Sequence, residues 1–260
     1  MAVLKDVKRI VVKVGTSTLT YNTGKTNIRR MHKLVSVLSD IANSGIEVAL
    51  VTSGAIGVGA GKLGLSERPA DTPGRQAAAT IGQCELMFMY DKLFGEYGHT
   101  VGQLLITKSD VENDERRENL VNTFNRLFDF GAIPIINEND SVAVDEIVYG
   151  DNDSLSAIVA KLIKADALII LTDTDGLFDG NPREDENAKL IPLVTKIDDA
   201  LIELAGGNGS RFGTGGMVTK LHAAKIAMEA GINAIVMNGE DPTELYKALD
   251  GKQVGTFFKA

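Results

Sequence analysis

The sequence is short of cysteine, of histidine and of positive charge, and it has no long apolar run. Each shortage excludes something. One cysteine, Cys84, cannot build a disulfide framework, and a thiolate metal cluster is out of reach. It sits in Gly-Gln-Cys-Glu-Leu-Met, a helix-like run, and is expected to be a small core residue. Three histidines, His32, His99 and His222, have no metal-ligand spacing. His32 and His222 fall in helix-like segments and His99 at a strand start, so structural roles are expected, and a Ser/His/Asp or zinc chemistry lacks support. Lys and Arg number 27 against 35 Asp and Glu, a net charge of −8. That balance argues against nucleic acid as a partner, though not against a local basic pocket for ATP. The apolar runs are strand-length and broken by charge, so neither a signal peptide nor a membrane span is expected, and a soluble cytoplasmic protein follows. There is no repeat, low-complexity tract or linker, so the 260 residues are expected to form one domain, 1–260, that needs no staples.

What is present is alternation. Short apolar runs at Arg9 to Val14, Glu47 to Val51, Val101 to Ile106, Ala132 to Ile136, Ala167 to Leu171 and Ile232 to Met237 read as strands. Between them lie helical patterns. Ile28, Met31, Val35, Leu38 and Ile41 recur at helical spacing, with Gly45 where a C-cap belongs. Thr72-Pro73 opens a long helix that ends near Gly98. Leu120, Val121, Phe124, Leu127 and Phe128 mark one helix face, stopped by Gly131. Nearly continuous apolar strands alternating with helices predict an α/β fold, a mainly parallel sheet covered on both faces. Residues 175 to 215, rich in Gly, Asp and Asn, form the least regular stretch and read as an excursion over a site.

The most informative segment runs from Ile133 to Ser154. The strand-like Ile133 to Ile136 ends abruptly in Asn137, Glu138, Asn139 and Asp140, and a second polar cluster, Asp151, Asn152 and Asp153, opens the helix-like Leu155 to Lys164. Polar side chains at the carboxyl end of a buried strand stand where α/β sheets bind ligands. Carboxylates attract an ammonium and amides donate to a carboxylate, so the set suits a small zwitterion. Taken alone, the segment reads equally well as an acidic surface turn.

Other motifs favour a ligand. Lys13 lies between β-branched residues of the first strand and is followed at once by Gly15, Thr16 and Ser17. A small-residue turn lets a phosphate approach backbone N–H groups, and the lysine adds a point charge. The alternative for Lys13 is a solvated edge position. Thr52-Ser53-Gly54-Ala55-Ile56-Gly57 follows the second strand, with a helix expected to begin near Ala55 and its N–H groups free for an anion. The alternative there is a tightly packed turn. Thr172 and Asp173 stand at the end of the strand Ala167 to Leu171, where small polar groups can bond a ribose or a base. Gly213-Thr214-Gly215-Gly216-Met217-Val218-Thr219-Lys220 runs directly into a helix striped by Met217, Leu221, Ala224 and Met228, with Gly231 at its end. Glycines, hydroxyls and a first-turn lysine at a helix start make an anion site; for stability alone that lysine opposes the dipole. Two look-alikes fail. Gly24-Lys25-Thr26 lacks the earlier glycine of a P-loop, since position 19 is Leu19. Gly59 to Gly64 has dinucleotide-site spacing but begins well beyond the strand, and reads as a glycine-rich helix end.

Together these motifs resemble the amino acid kinase family over essentially the whole chain. The resemblance rests on residues 12–17, 51–56, 136–140, 150–153, 171–173 and 213–220. The Asn-Glu-Asn-Asp and Gly-Asp-Asn-Asp pair is similar to the branch that phosphorylates the side chain of glutamate, rather than those acting on carbamate, aspartate, uridylate or acetylglutamate. The resemblance implies a three-layer α/β/α sandwich and transfer of phosphate from ATP to the side-chain carboxylate of L-glutamate, with Mg2+ bridging phosphate oxygens, as the first step of proline biosynthesis. It implies that Lys13 and Lys220 contact the transferring phosphate and that Asp153 holds them, these three being the catalytic set. ATP would lie on Lys13, Gly15, Thr172, Asp173, Thr214, Gly215, Gly216, Met217, Val218, Thr219 and Lys220. Glutamate would lie on Ser53, Gly54, Asn137, Asp140 and Asn152. No protein ligand of the metal is assigned. It further implies feedback inhibition by L-proline, a homo-oligomer and functional coupling to glutamate-5-semialdehyde dehydrogenase.

Two departures stand out. Many relatives carry a C-terminal PUA domain, whereas this chain stops at Phe257-Phe258-Lys259-Ala260, so the domain is either lacking or removed. Asn181-Pro182 stands where Asp-Pro is frequent, and Asn181 is given no role. Two other readings remain: a kinase of aspartate or N-acetylglutamate, and a catalytically silent amino-acid sensor. Two phosphate lysines argue against the sensor. Acetylation removes the ammonium that Asp140 would meet, which argues against acetylglutamate.

Overall fold

The computed structural model describes residues 4, 6–21, 25–142, 152–182, 184–206 and 216–260. In chain order its elements are β1 (Arg9–Val14), α1 (Thr16–Leu19), α2 (Ile28–Asn43), β2 (Glu47–Val51), α3 (Ala55–Lys62), α4 (Thr72–Gly95), β3 (Val101–Ile106), α5 (Lys108–Glu112) and α6 (Asp114–Asp129). They continue with β4 (Ile133–Glu138), α7 (Asn152–Leu162), β5 (Ala167–Thr172), β6 (Leu193–Val194), α8 (Asp199–Gly206), α9 (Met217–Glu229), β7 (Asn233–Asn238), α10 (Glu244–Leu249) and β8 (Thr256–Phe258). The chain divides into two compact units, Val14–Val148 and Met1–Lys13 with Tyr149–Ala260. Among the described residues no helix is long and apolar enough to cross a membrane.

In the unit Val14–Val148 the strands lie in the order β3-β4-β2, all parallel. Leu50 pairs with Ile135 and Val51 with Ile136. The Asn27 side chain accepts from the Arg30 N–H and starts α2, and Gly45 at φ 95° turns the chain after it. Met31, Val35, Leu38 and Ile41 are buried as the spacing predicts, with Leu34 buried beside them, but Ile28, in the first turn, is 60% exposed. Asp71 caps α4 by accepting from Gly74 N–H, and Pro73 occupies the first turn, where its missing N–H is harmless. Helices α3 and α4 touch backbone to backbone: a Cβ on Gly82 would stand 1.8 Å from the Ala55 carbonyl oxygen, and one on Gly59 equally close to that of Ala78. Only Phe124 of α6 is fully buried; the other apolar residues of its expected face are half-covered.

In the other unit the order is β1-β5-β7-β8-β6. The β5–β7 and β6–β8 pairs are parallel, and β7–β8 is antiparallel. Asp166 fixes the start of β1 by accepting from the Lys8 and Arg9 N–H groups at 2.7 and 2.8 Å. Strand β5 is buried along its whole length, which is why it reads as an unbroken apolar run. Thr256 of β8 is fully buried and bonds both the Leu177 N–H at 2.8 Å and the Ile191 carbonyl at 2.7 Å, tying down the loop after β5.

Two expectations need correction. Cys84 is exposed, because α4 buries the face of Ala79, Gly82, Gln83 and Leu86 and turns residue 84 outward. Strand β4 does not stop at Ile136 but continues through Asn137 and Glu138, paired with Leu105 and Ile106 of β3.

Candidate active site

The best-defined feature is a cluster of opposite charges in the unit that holds β1. Lys13, in the fifth position of β1, is only 7% exposed, so the solvated-edge alternative falls. Its Nζ lies 2.7 Å from Asp153 Oδ1. Asp153, fully buried in the first turn of α7, takes Lys220 Nζ on its other oxygen at 3.2 Å. Thr219, one residue earlier in α9, offers its hydroxyl to Asp153 Oδ2 at 2.8 Å and to the Gly216 carbonyl at 2.7 Å. The sequence folds this way because α7 and α9 pack together and each places its polar first turn at the same end. Burial alone would push the Asp153 carboxyl up. The charges of Lys13 and Lys220, with hydrogen bonds from Lys13 and Thr219, outweigh it and hold the carboxyl below its ordinary value. Asp153 is therefore ionised, and the cluster carries a net positive charge in a desolvated setting.

Around it stand other residues expected from the motifs. Asn152 begins α7 and is half-buried. Thr172 ends β5, buried, with its hydroxyl 3.2 Å from Asp173 Oδ1; Asp173 is exposed. Gly216 is exposed at the N-cap of α9, and Met217 and Val218 follow half-buried. Thr214, Gly215, Gly213 and Asp151 lie outside the described residues.

The unit Val14–Val148 holds a second polar group, at the carboxyl ends of β2 and β4. Gly15 caps the short α1, and its carbonyl accepts from Thr18 N–H. Ser53 is half-buried between Thr52, which ends β2, and Gly54. Gly54 has φ 100°, a left-handed conformation that favours glycine, and it packs beside Thr16. Asn137 is 2% exposed, and each of its two amide atoms makes a hydrogen bond. Its Oδ1 accepts from Glu138 N–H at 2.9 Å and its Nδ2 donates to Gln83 Oε1 at 2.8 Å. Asp140, in the turn after β4, is half-buried, and burial raises its carboxyl above the ordinary value. Beneath, the buried Tyr90 hydroxyl meets Thr52 Oγ1 at 2.9 Å. Gln83 and Tyr90 were not expected from the sequence; in a helical run neither differs from an ordinary core or surface residue.

His32 and His99 make local contacts, and His222 is exposed on α9. His99 Nε2 is 3.2 Å from the Ser39 carbonyl, and His32 stands near Tyr97 and Glu96 on the rim of α2 and α4. Among the described residues no three His, Cys, Asp or Glu side chains gather closely enough to hold a metal ion.

The profile of the Amino acid kinase family matches residues 8–238. The glutamate 5-kinase of Clostridium perfringens is 54% identical over 261 aligned residues, covering 99% of this chain and 97% of that protein. The glutamate 5-kinase of Listeria monocytogenes serotype 4a is 52% identical, with 98% and 94% covered. Among solved structures, the UMP kinase of Bacillus anthracis superposes with a TM-score of 0.69 at 20% identity, covering 98% of this chain and 97% of that one. That last likeness carries the fold, a mainly parallel sheet with helices on both faces; the sequence relatives and the profile carry the family. The chain belongs to the amino acid kinase family.

Proposed function

We infer that this chain transfers the γ-phosphoryl group of ATP to the side-chain carboxylate of L-glutamate, giving L-glutamyl 5-phosphate. The observation that carries the reading is Asp153 holding Lys13 and Lys220, in a chain more than half identical to glutamate 5-kinases across nearly its whole length. A carboxylate with a pKa near 4.3 is already ionised at neutral pH, so no general base is needed to make the nucleophile. The obstacle is the approach of one anion to another, and the remedy is positive charge and N–H groups aimed at the transferring oxygens. In this reading Lys13 and Lys220 touch the phosphoryl oxygens, and Asp153 sets their spacing rather than taking a proton. Thr172, Asp173, Gly15 and residues 214–219 hold the nucleotide. Ser53, Gly54, Asn137, Asp140 and Asn152 hold glutamate, Asp140 facing its ammonium. Magnesium would ride on the phosphate oxygens and neutralise their charge. The family profile spans both compact units, which supports one working domain across 1–260.

By the same resemblance we propose a cytoplasmic enzyme of proline synthesis, inhibited by L-proline and self-associating, with its reactive acyl phosphate passed to a glutamate-5-semialdehyde dehydrogenase. Release of ADP measured with L-glutamate, L-aspartate and N-acetylglutamate in parallel tests the acceptor. Turnover confined to glutamate is expected; equal turnover with aspartate, or none with any acceptor, would overturn the assignment.

A further inference from the structure

Helix α4 contributes two polar side chains to an otherwise apolar buried face, Gln83 and Tyr90, seven residues apart and so two turns along one stripe. They meet neighbouring strands at matching depth. Val51 pairs with Ile136, and the next residues, Thr52 and Asn137, receive Tyr90 and Gln83 respectively. The Gly59–Gly82 backbone contact seats α4 close enough for this, since Gln83 directly follows Gly82. The bonding fixes how each amide faces. Glu138 N–H can only donate, so Asn137 must turn Oδ1 to it, and Nδ2 then donates to Gln83. Gln83 must present Oε1, which leaves its buried Nε2 without an acceptor among the described residues. A buried donor without an acceptor works against stability, so packing alone does not account for a glutamine here. Methionine would fill the same space without that donor, but it would take the Oε1 acceptor away from Asn137 Nδ2.

We propose that Gln83 is a positioning residue for the acceptor site: by accepting from Asn137 Nδ2 it fixes which edge of that amide is presented at the end of β4. The inference rests on the reading of Asn137 as a glutamate contact. Its test is a cycle of Gln83→Met, Asn137→Ala and the double variant, with saturation curves for glutamate and for ATP. Gln83→Met raises the glutamate KM roughly tenfold, the worth of one net hydrogen bond, while the ATP KM moves less than about twofold. In the Asn137→Ala background the same change adds nothing, because Gln83 acts only through Asn137. A normal Gln83→Met beside a defective Asn137→Ala overturns the inference alone, and so do additive effects or equal rises in both KM values. An unchanged glutamate KM in Asn137→Ala overturns the underlying reading as well. If Gln83→Met does not fold, Gln83→Glu, which keeps the accepting oxygen, takes its place: a glutamate KM within about threefold of the parent supports the role and a tenfold rise overturns it.

Discussion

Asp153 carries a lysine on each carboxylate oxygen, and the three charges depend on one another. Removing one lysine leaves a neutral buried pair. Lys220→Ala should therefore fold, yet lose turnover by at least about 100-fold, because the missing charge is needed most where phosphate charge redistributes. The glutamate KM should change little; steady-state kinetics with both substrates decides, and near-normal turnover would remove Lys220 from the reaction. Asp153→Asn is a different experiment. It leaves two buried ammonium groups facing each other, so it should cost about 3–5 kcal/mol of stability, seen in denaturant melts, beyond any loss of rate. Asp140 works in the opposite sense. Its carboxyl sits above the ordinary value because of burial, so the folded state binds the proton more readily than the unfolded chain. Stability from this group is present below the unfolded pKa and is lost as pH rises through the folded one. Above the folded pKa the protein holds a desolvated carboxylate, which a substrate ammonium would relieve. Asp140→Asn should raise the melting temperature of the free protein at pH 7 and raise the glutamate KM. It should also flatten the acid limb of kcat/KM for glutamate, which in the parent falls as Asp140 takes up its proton. A lower melting temperature in that variant would contradict the burial argument.

At the scale of elements, what could be read from the sequence was what repeats or interrupts. Strands β1, β2 and β3 are bounded as their apolar runs predict, and Gly45, Gly98, Gly131 and Gly231 all take positive φ at helix ends. Polar clusters at strand ends marked Ser53 and Asn137, and polar clusters at helix starts marked Asp153 and Lys220. What could not be read depends on which face a helix turns. Cys84 and Gln83 are neighbours of ordinary helical character, yet one is exposed and the other buried against Asn137. That outcome is set by the α3–α4 contact, a property of two helices packed together and of neither alone. Gly59 and Gly82 make this contact, and Gly59 in the sequence suggested only a helix end. Gly82→Ala should accordingly destabilise by about 3 kcal/mol, since Cβ would collide with backbone and α3 must move. Gly95→Ala, on the same helix with open space around it, should be neutral or stabilising by up to about 1 kcal/mol. Urea midpoints for the pair separate a steric role from mere helix propensity; equal effects would remove the contact from the account.

On the scale of the whole molecule, a net charge of −8 and an acidic substrate pull against each other. Long-range electrostatics do not favour collecting glutamate, so selectivity has to come from short-range groups. In the proposed reading Ser53, Asn137, Asp140 and Asn152 would recognise an α-ammonium and a carboxylate, and lysine would meet only the reacting end of the ligand. Proline shares the α-carboxylate and the amine of glutamate but has no side-chain nucleophile. If the acceptor residues also receive the proposed feedback inhibitor, proline should occupy the site without reacting. Inhibition should then weaken as glutamate rises, and Asp140→Ala should lose response to both ligands together. Glutamate titrations at several fixed proline concentrations decide the matter. Lines converging on a common maximal rate support a shared site, because enough glutamate displaces the inhibitor. A maximal rate that falls with proline, unrelieved at saturating glutamate, would place the inhibitor elsewhere on the protein. Sensitivity to proline retained in Asp140→Ala would point the same way, since a secondary amine sharing the site would have lost the carboxylate that holds it.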